Sequence, residues 1–105
     1  MDPHRLAEVR SLAYHRVIAA RIAEEPALVA VARERMQSWG ARRTLSAEYV
    51  ARWLALLDGP RERLLEVLVE DSEEARALRQ TSPFAGVLGA RERRVIHRRA
   101  RERAG

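Results

Sequence analysis

The chain has 105 residues, a formal net charge of +5 and no Cys. It has 20 Arg and no Lys. This length allows one domain with a modest core, and the lack of Cys excludes disulfides, thiolate nucleophiles and Cys-ligated zinc or iron–sulfur sites. No apolar run approaches the roughly 20 residues of a membrane span, and no secretory signal follows the first residues, so we expect a soluble, cytoplasmic domain with no membrane contact.

The first predicted helix has recognisable start and stop signals. Asp2 is a suitable N-cap because its carboxylate accepts hydrogen bonds from free N–H groups, and Pro3 suits the first helical position. Apolar residues then recur at spacings of three and four from Leu6 onward, which is the pattern of an amphipathic helix. Pro26 disfavours helical geometry at the residue before it, so this helix should end near Glu24.

Turn and capping residues divide the following sequence into further helices. Pro26 opens the second helix, and Gly40 suits a left-handed stop at its end. Ser46 is a cap for the third helix, Pro60 begins the fourth, and Ser72 is the cap of a short helix after it. Amphipathic helices joined by short turns predict an all-α fold, a small antiparallel helical bundle over residues 1–80.

Residues 81–105 have a different character and form the second part of the predicted organisation, as a docking loop followed by an Arg-rich helix. Residues 81–89 contain two of the five Gly and the only Phe, and the helix-forming stretch after them has only Val95 and Ile96 as large apolar residues. A helix this polar needs a surface to pack on. We therefore expect a basic C-terminal helical tail that packs on the bundle, docks on a partner or frays.

The excess positive charge lies in this tail. From residue 83 onward there are seven Arg and two Glu, a net charge of +5 that equals the net charge of the whole chain. Lys and Asn, which have A/T-rich codons, are both missing. This indicates a GC-rich genome, so we do not interpret each Arg as a residue selected for phosphate binding.

Two kinds of partner suit the basic tail. Arg side chains that neutralise phosphates bind DNA or RNA without sequence preference, and Arg42 and Arg43 would extend such a surface. However, no aromatic residue is interleaved with the tail arginines to stack on bases, and no recognition helix is evident. An acidic surface on a protein is the alternative, and self-association into a homo-oligomer stays open.

His15 raises an enzymatic alternative. Arg10 and His15 match the Arg-x4–6-His spacing of HEPN ribonucleases, in which the His moves a hydroxyl proton and the Arg stabilises the phosphorane charge. Arg91 and His97 match it as well, but such matches arise by chance in a chain with 20 Arg among 105 residues. We interpret His15 as a helix-surface or interface residue.

Other catalytic motifs are missing from the sequence. It has no Gly-rich phosphate loop, no pair of His residues at zinc-binding spacing and no Gly-x-Ser-x-Gly elbow. Adjacent acidic residues, such as Glu73 and Glu74, lie at expected helix ends, where they are typical of capping and solubility. We therefore expect a protein that is not an enzyme and that needs no metal or cofactor.

Two stretches resemble a known class of proteins. Residues 78–88 (LRQTSPFAGVL) with residues 91–94 (RERR), together with Tyr14, His15 and Arg16, resemble small helical bacterial antitoxin-like proteins of toxin–antitoxin pairs. The resemblance implies a protein that neutralises a cognate toxin by wrapping it, with residues 3–80 as scaffold and residues 81–103 as the main contact. The predicted partner-binding residues are Phe84, Val87, Leu88, Arg91, Arg94, Ile96, Arg98 and Arg99.

Overall fold

The structure is a computed structural model that describes residues 2–104. Within that range there are six α-helices and no β-strand, and the helices are α1 (Pro3–Glu24), α2 (Ala27–Arg42), α3 (Ala47–Asp58), α4 (Arg61–Val69), α5 (Glu73–Arg79) and α6 (Ala90–Ala104). The longest helix, α1, packs against α2, α4, α5 and α6, while α3 packs against α2 and α4. The prediction of an all-α fold, a small helical bundle, is confirmed.

Side-chain oxygens begin three of the helices, as predicted. Asp2, Ser46 and Ser72 accept hydrogen bonds from the backbone N–H groups three residues later, at 3.1, 3.3 and 3.1 Å respectively. Each cap satisfies an N–H group that has no partner inside its helix, which typically stabilises the fold by about 1 kcal/mol. Pro26 and Pro60 each lie directly before a helix.

The predicted end of α2 is wrong. Gly40 lies inside the helix, and the residue with left-handed geometry is Arg43, with φ 57° and ψ 32°. A Cβ atom on Gly40 would lie 3.1 Å from Cγ1 of Val50 on α3. Glycine at this position therefore allows the close approach of two helices and does not form a turn, since a larger residue would require the Val50 side chain to move.

The core combines residues of the bundle with residues from the loop before α6. The largest fully buried side chains are Trp53, Phe84, Ile18, Ile22, Met36, Leu64, Leu68 and Pro83. Phe84 packs edge-to-face on Trp53 of α3, with ring centroids 6.4 Å apart and an angle of 68° between the planes. This geometry is favourable for two aromatic quadrupoles and adds to the burial of both rings.

The C-terminal helix lies along α1. Ala100 is buried, and Ile96 packs against the core with its side chain half-buried. An ion pair between Arg21 and Glu92 joins the two helices at the N-terminal end of α6. Two apolar residues and one ion pair thus give this polar helix the packing surface that its composition requires.

Phe84 is a direct test of whether the loop before α6 belongs to the core. We expect Phe84→Ala to lower the free energy of unfolding by about 3–5 kcal/mol, because it removes a fully buried ring and leaves a cavity. Urea unfolding followed by circular dichroism measures this change. The matched truncation Val69→Ala, at a side chain that is 37% exposed, should cost less than about 1 kcal/mol. Equal effects of the two substitutions would contradict the assignment.

Candidate functional site

Residues 81–88, which we call the plug, are held on α1 by Tyr14 and His15. The Tyr14 hydroxyl donates to the backbone oxygen of Phe84 at 2.6 Å and accepts from the backbone N–H of Leu88 at 3.3 Å. Nε2 of His15 lies 2.8 Å from Oγ of Ser82. The two stretches that carry the antitoxin resemblance therefore contact each other inside the protein.

The hydrogen-bond partners of His15 define which of its nitrogens carries the proton. Nδ1 lies 2.7 Å from the backbone oxygen of Ser11, which only accepts, so Nδ1 must be the protonated donor. Nε2 then accepts from the hydroxyl of Ser82, whose oxygen in turn accepts from the backbone N–H of Phe84 at 3.1 Å. A neutral ring completes this chain, whereas a proton on Nε2 would leave the Ser82 hydroxyl without its acceptor.

His15 is a buried structural residue, and the interpretation of it as a surface or interface residue is wrong. It is only 3% exposed. Burial lowers its pKa to about 4, the hydrogen bond to the Ser11 backbone opposes this shift, and the positive charge of Arg79 adds to it. The Nε2 lone pair points at the hydroxyl of Ser82, which is itself only 3% exposed, so in this fold it faces a buried protein group and not a bound substrate.

Two further side chains from the bundle hold the plug. Arg35 on α2 donates through Nη1 to the backbone oxygens of Pro83, at 3.0 Å, and Ala85. The indole N–H of Trp53 donates to the hydroxyl of Thr81 at 3.0 Å. These bonds satisfy backbone carbonyls and a buried N–H group that the irregular loop would otherwise leave unpaired.

The structure corrects part of the predicted partner-binding set. Phe84 is fully buried and Leu88 is 4% exposed, so neither is available as an anchor for a partner in this folded state. The burial of their side chains and the hydrogen bonds of the plug give both residues a structural role. Val87 and Ile96 are half-buried and pack against the core.

The arginines of α6 point in three directions. Arg91, Arg94, Arg98 and Arg101 are exposed and follow one another at spacings of three and four, so they form a stripe on the outer face of the helix. Arg99 and Arg103 lie on one flank of the contact with α1, and Arg93 lies on the other. Of the predicted partner-binding arginines, Arg91, Arg94 and Arg98 thus belong to the outer stripe, whereas Arg99 does not.

One flank of the α1–α6 contact forms a groove of about 460 Å³, which we call the arginine groove. It is lined by the half-buried or buried residues Val9, Leu12, Ala13, Val17, Ile96 and Ala100 and by the exposed residues Arg5, Arg16, Arg99 and Arg103. Neither Asp nor Glu lines it within the described part of the chain. The groove therefore offers an apolar floor with positively charged edges.

The opposite flank forms a second concave surface of about 350 Å³, which we call the basic cleft. Its charged or titratable lining residues are Arg10, Arg79, Arg93, His15, His97 and Tyr14. Arg42 and Arg43 lie at the end of α2 and line neither the arginine groove nor the basic cleft.

Among residues 2–104, no group of three or more His, Asp or Glu side chains is placed to hold a metal ion. Over the same range, no helix has the length and apolar character needed to cross a bilayer. Comparisons with models of protein families, with curated proteins and with solved structures find no match.

The burial of His15 makes the stability of the fold depend on pH. An unfolded His has a pKa of about 6.5, whereas the folded-state pKa of His15 is about 4. In the window between these values the unfolded chain binds a proton that the folded protein does not, so the free energy of unfolding falls as the pH falls. We expect His15 to contribute a loss of about 2 kcal/mol between about pH 7 and about pH 4.5, measured by urea unfolding.

The variant His15→Gln isolates this contribution. Carboxylates and the other histidines titrate in the variant as well, so the difference in slope between the two proteins belongs to His15. His4→Gln, at an exposed residue, should keep the slope of the original protein. The same pH dependence in His15→Gln as in the original protein would show that the ring is not buried in neutral form.

Proposed function

We propose that this protein is a non-catalytic protein–protein interaction module that binds an acidic partner in the arginine groove. We further propose that it acts as an antitoxin that neutralises a cognate toxin. The observation that carries the first proposal is the combination of an apolar floor with four exposed arginines and no lining carboxylate. The second rests on the resemblance of residues 78–94 and of Tyr14, His15 and Arg16 to antitoxin-like proteins.

The apolar floor supports binding by burial. Val9 and Leu12 come from α1 and Ile96 comes from α6, and all three keep part of their surface exposed in the groove. A projecting apolar side chain of a partner would cover this surface and gain about 25 cal/mol for each Å² removed from water. A volume of about 460 Å³ is in the range of pockets that bind such groups.

The edges of the groove support an acidic partner. Arg5 and Arg16 lie on the α1 side, and Arg99 and Arg103 lie on the α6 side. Among residues 2–104, none of these four arginines takes part in an ion pair within the protein. Their guanidinium groups are therefore available for bidentate hydrogen bonds with carboxylates, and Arg is frequent among residues that dominate interface energies.

A protein partner fits this surface better than a nucleic acid does. Within the described residues, the lining of the groove includes no aromatic side chain that could stack on a base. Binding to the phosphates of a duplex would use the arginines but would leave the apolar floor without a role. The outer stripe on α6 adds long-range attraction for an acidic protein and raises its association rate.

The proposed contact surface differs from the one that the sequence predicted. The plug residues Phe84 and Leu88 leave the set, and Ile96 and Arg99 remain in it together with α1 residues such as Leu12 and Arg16. Deletion of residues 81–105 would therefore remove part of the core and would not test partner binding. Charge reversal at exposed arginines tests it without changing the core.

The decisive variant is Arg99→Glu combined with Arg103→Glu, tested against the protein encoded by the adjacent gene. We expect affinity to fall at least about 100-fold, because two attractive contacts become repulsive. Isothermal titration calorimetry measures the affinity. A growth assay on co-expression measures neutralisation, which the double variant should lose.

The matched control is Arg61→Glu with Arg63→Glu, which reverses two exposed charges on α4. It should bind and neutralise as the original protein does. Equal losses in both double variants would contradict the groove as the contact. An adjacent gene product that neither binds nor inhibits growth would contradict the antitoxin proposal. Duplex DNA binding with a steep salt dependence that only the groove variant loses would favour a nucleic-acid partner instead.

A further inference from the structure

We propose that the basic cleft, on the other flank of the α1–α6 contact, binds a small phosphate monoester. Three helices bring basic side chains to it: Arg10 from α1, Arg79 from α5, and Arg93 with the imidazole of His97 from α6. Arg93 and His97 are four residues apart and therefore lie on the same face of their helix. The cleft shares no lining residue with the arginine groove, so this proposal does not depend on the proposed partner.

The positive charges in the cleft are not balanced by acidic residues that line it. Among the described residues, its lining includes no Asp or Glu. The carboxylates around it have other partners: Glu8 lies 4.0 Å from Arg76, and Glu92 pairs with Arg21. Glu70 and Asp71 do not line the cleft, although their negative charges favour the charged form of Arg79 and so oppose the lowering of its pKa by burial. A bound anion would supply the missing negative charge.

Of the three arginines in the cleft, Arg79 is bound to the protein itself, whereas Arg10 and Arg93 are available to a ligand. Nη1 of Arg79 donates to the backbone oxygens of Val67, at 3.1 Å, and Glu70, at 2.8 Å, so this guanidinium stabilises the C-terminal end of α4. Within residues 2–104, Arg10 and Arg93 have neither an ion pair nor a side-chain hydrogen bond. Arg10 and Arg93 are therefore the residues that would bind a ligand directly.

Arg10 provides an independent indication of a missing partner. Its Nε atom is buried and has no hydrogen-bond acceptor within the described part of the chain. A buried N–H group without an acceptor is unfavourable, and native proteins seldom retain one without a reason. Because this atom is closed to solvent, a ligand oxygen would reach it only if the Arg10 side chain turned toward the cleft that it lines.

The pKa of His97 depends on its burial and on the charges of Arg10 and Arg93. Burial lowers its pKa, and the positive charges of Arg10 and Arg93 lower it further. His15, Arg79 and the hydroxyl of Tyr14 are the other titratable or charged groups that face the cleft. A dianion bound between the arginines would reverse their effect on His97 and raise its pKa, which gives a local signal of occupancy.

The cleft has room for a phosphate ester and not only for a free phosphate ion. Phosphate groups match the planar fork of Arg, which donates two parallel hydrogen bonds. The volume of about 350 Å³ leaves room beside a phosphate for an organic group. The organic group would lie against Ala7 and Ala85 and beside Gly86. The space next to Gly86 is open, because a Cβ atom built on it would have no atom within 4 Å.

The test uses adenosine monophosphate as the probe, with adenosine and inorganic phosphate as reference compounds. Calorimetry on the full chain should show saturable binding of the monophosphate, weaker binding of phosphate and no binding of adenosine. Arg93→Gln should weaken binding at least about tenfold, because it removes one of the two available guanidinium groups. Arg94 follows Arg93 in the sequence but lies on the outer stripe and not in the cleft, so Arg94→Gln should leave the affinity unchanged.

Proton NMR of the His97 ring provides a second measurement, with its signal assigned from His97→Gln. The pKa of His97 should rise when the monophosphate binds and should not change with adenosine. Absence of binding to the original protein would overturn the proposal. It would also be overturned if Arg94→Gln weakened binding as much as Arg93→Gln, since that result would indicate attraction by the overall charge of α6 only.

Discussion

The attachment of the plug to α1 is the constraint on which the rest of the structure depends. The hydroxyl of Tyr14 holds the backbone at both Phe84 and Leu88, and the neutral ring of His15 holds Ser82. These bonds attach the segment between α5 and α6 to the bundle, and they place the ring of Phe84 against Trp53. Because α6 begins directly after the plug, the same attachment also positions the arginines of that helix relative to α1.

The position of α6 gives one basic helix several distinct surfaces. Its contact with α1 through Ile96 and Ala100 separates the arginine groove from the basic cleft. The groove combines charge with exposed apolar surface, which suits a protein partner, whereas the cleft combines charge with an unpaired buried donor, which suits a small anion. The net charge of the tail alone did not distinguish these uses, since it gave no information on which arginine faces which surface.

Much of the fold was predictable from the sequence, because local chemistry determines helix ends. The caps at Asp2, Ser46 and Ser72 were identified correctly, as each provides an oxygen directly before an apolar periodic segment. The end of α2 was not predicted correctly, because the role of Gly40 depends on its contact with Val50 on another helix. The burial of His15 and Phe84 was not predicted for the same reason: it comes from contacts across about 70 residues, and periodicity carries no information about such contacts.

Residues 81–88 belong to the folded core and do not form a free docking segment. Native-state amide hydrogen exchange of the Leu88 N–H is the most direct test, because this group donates to the hydroxyl of Tyr14. We expect protection close to that of the core helices, and a large loss of protection at this amide in Tyr14→Phe. Exchange of Leu88 at the rate of an unstructured loop, in the original protein without any partner, would contradict the assignment of the plug to the core.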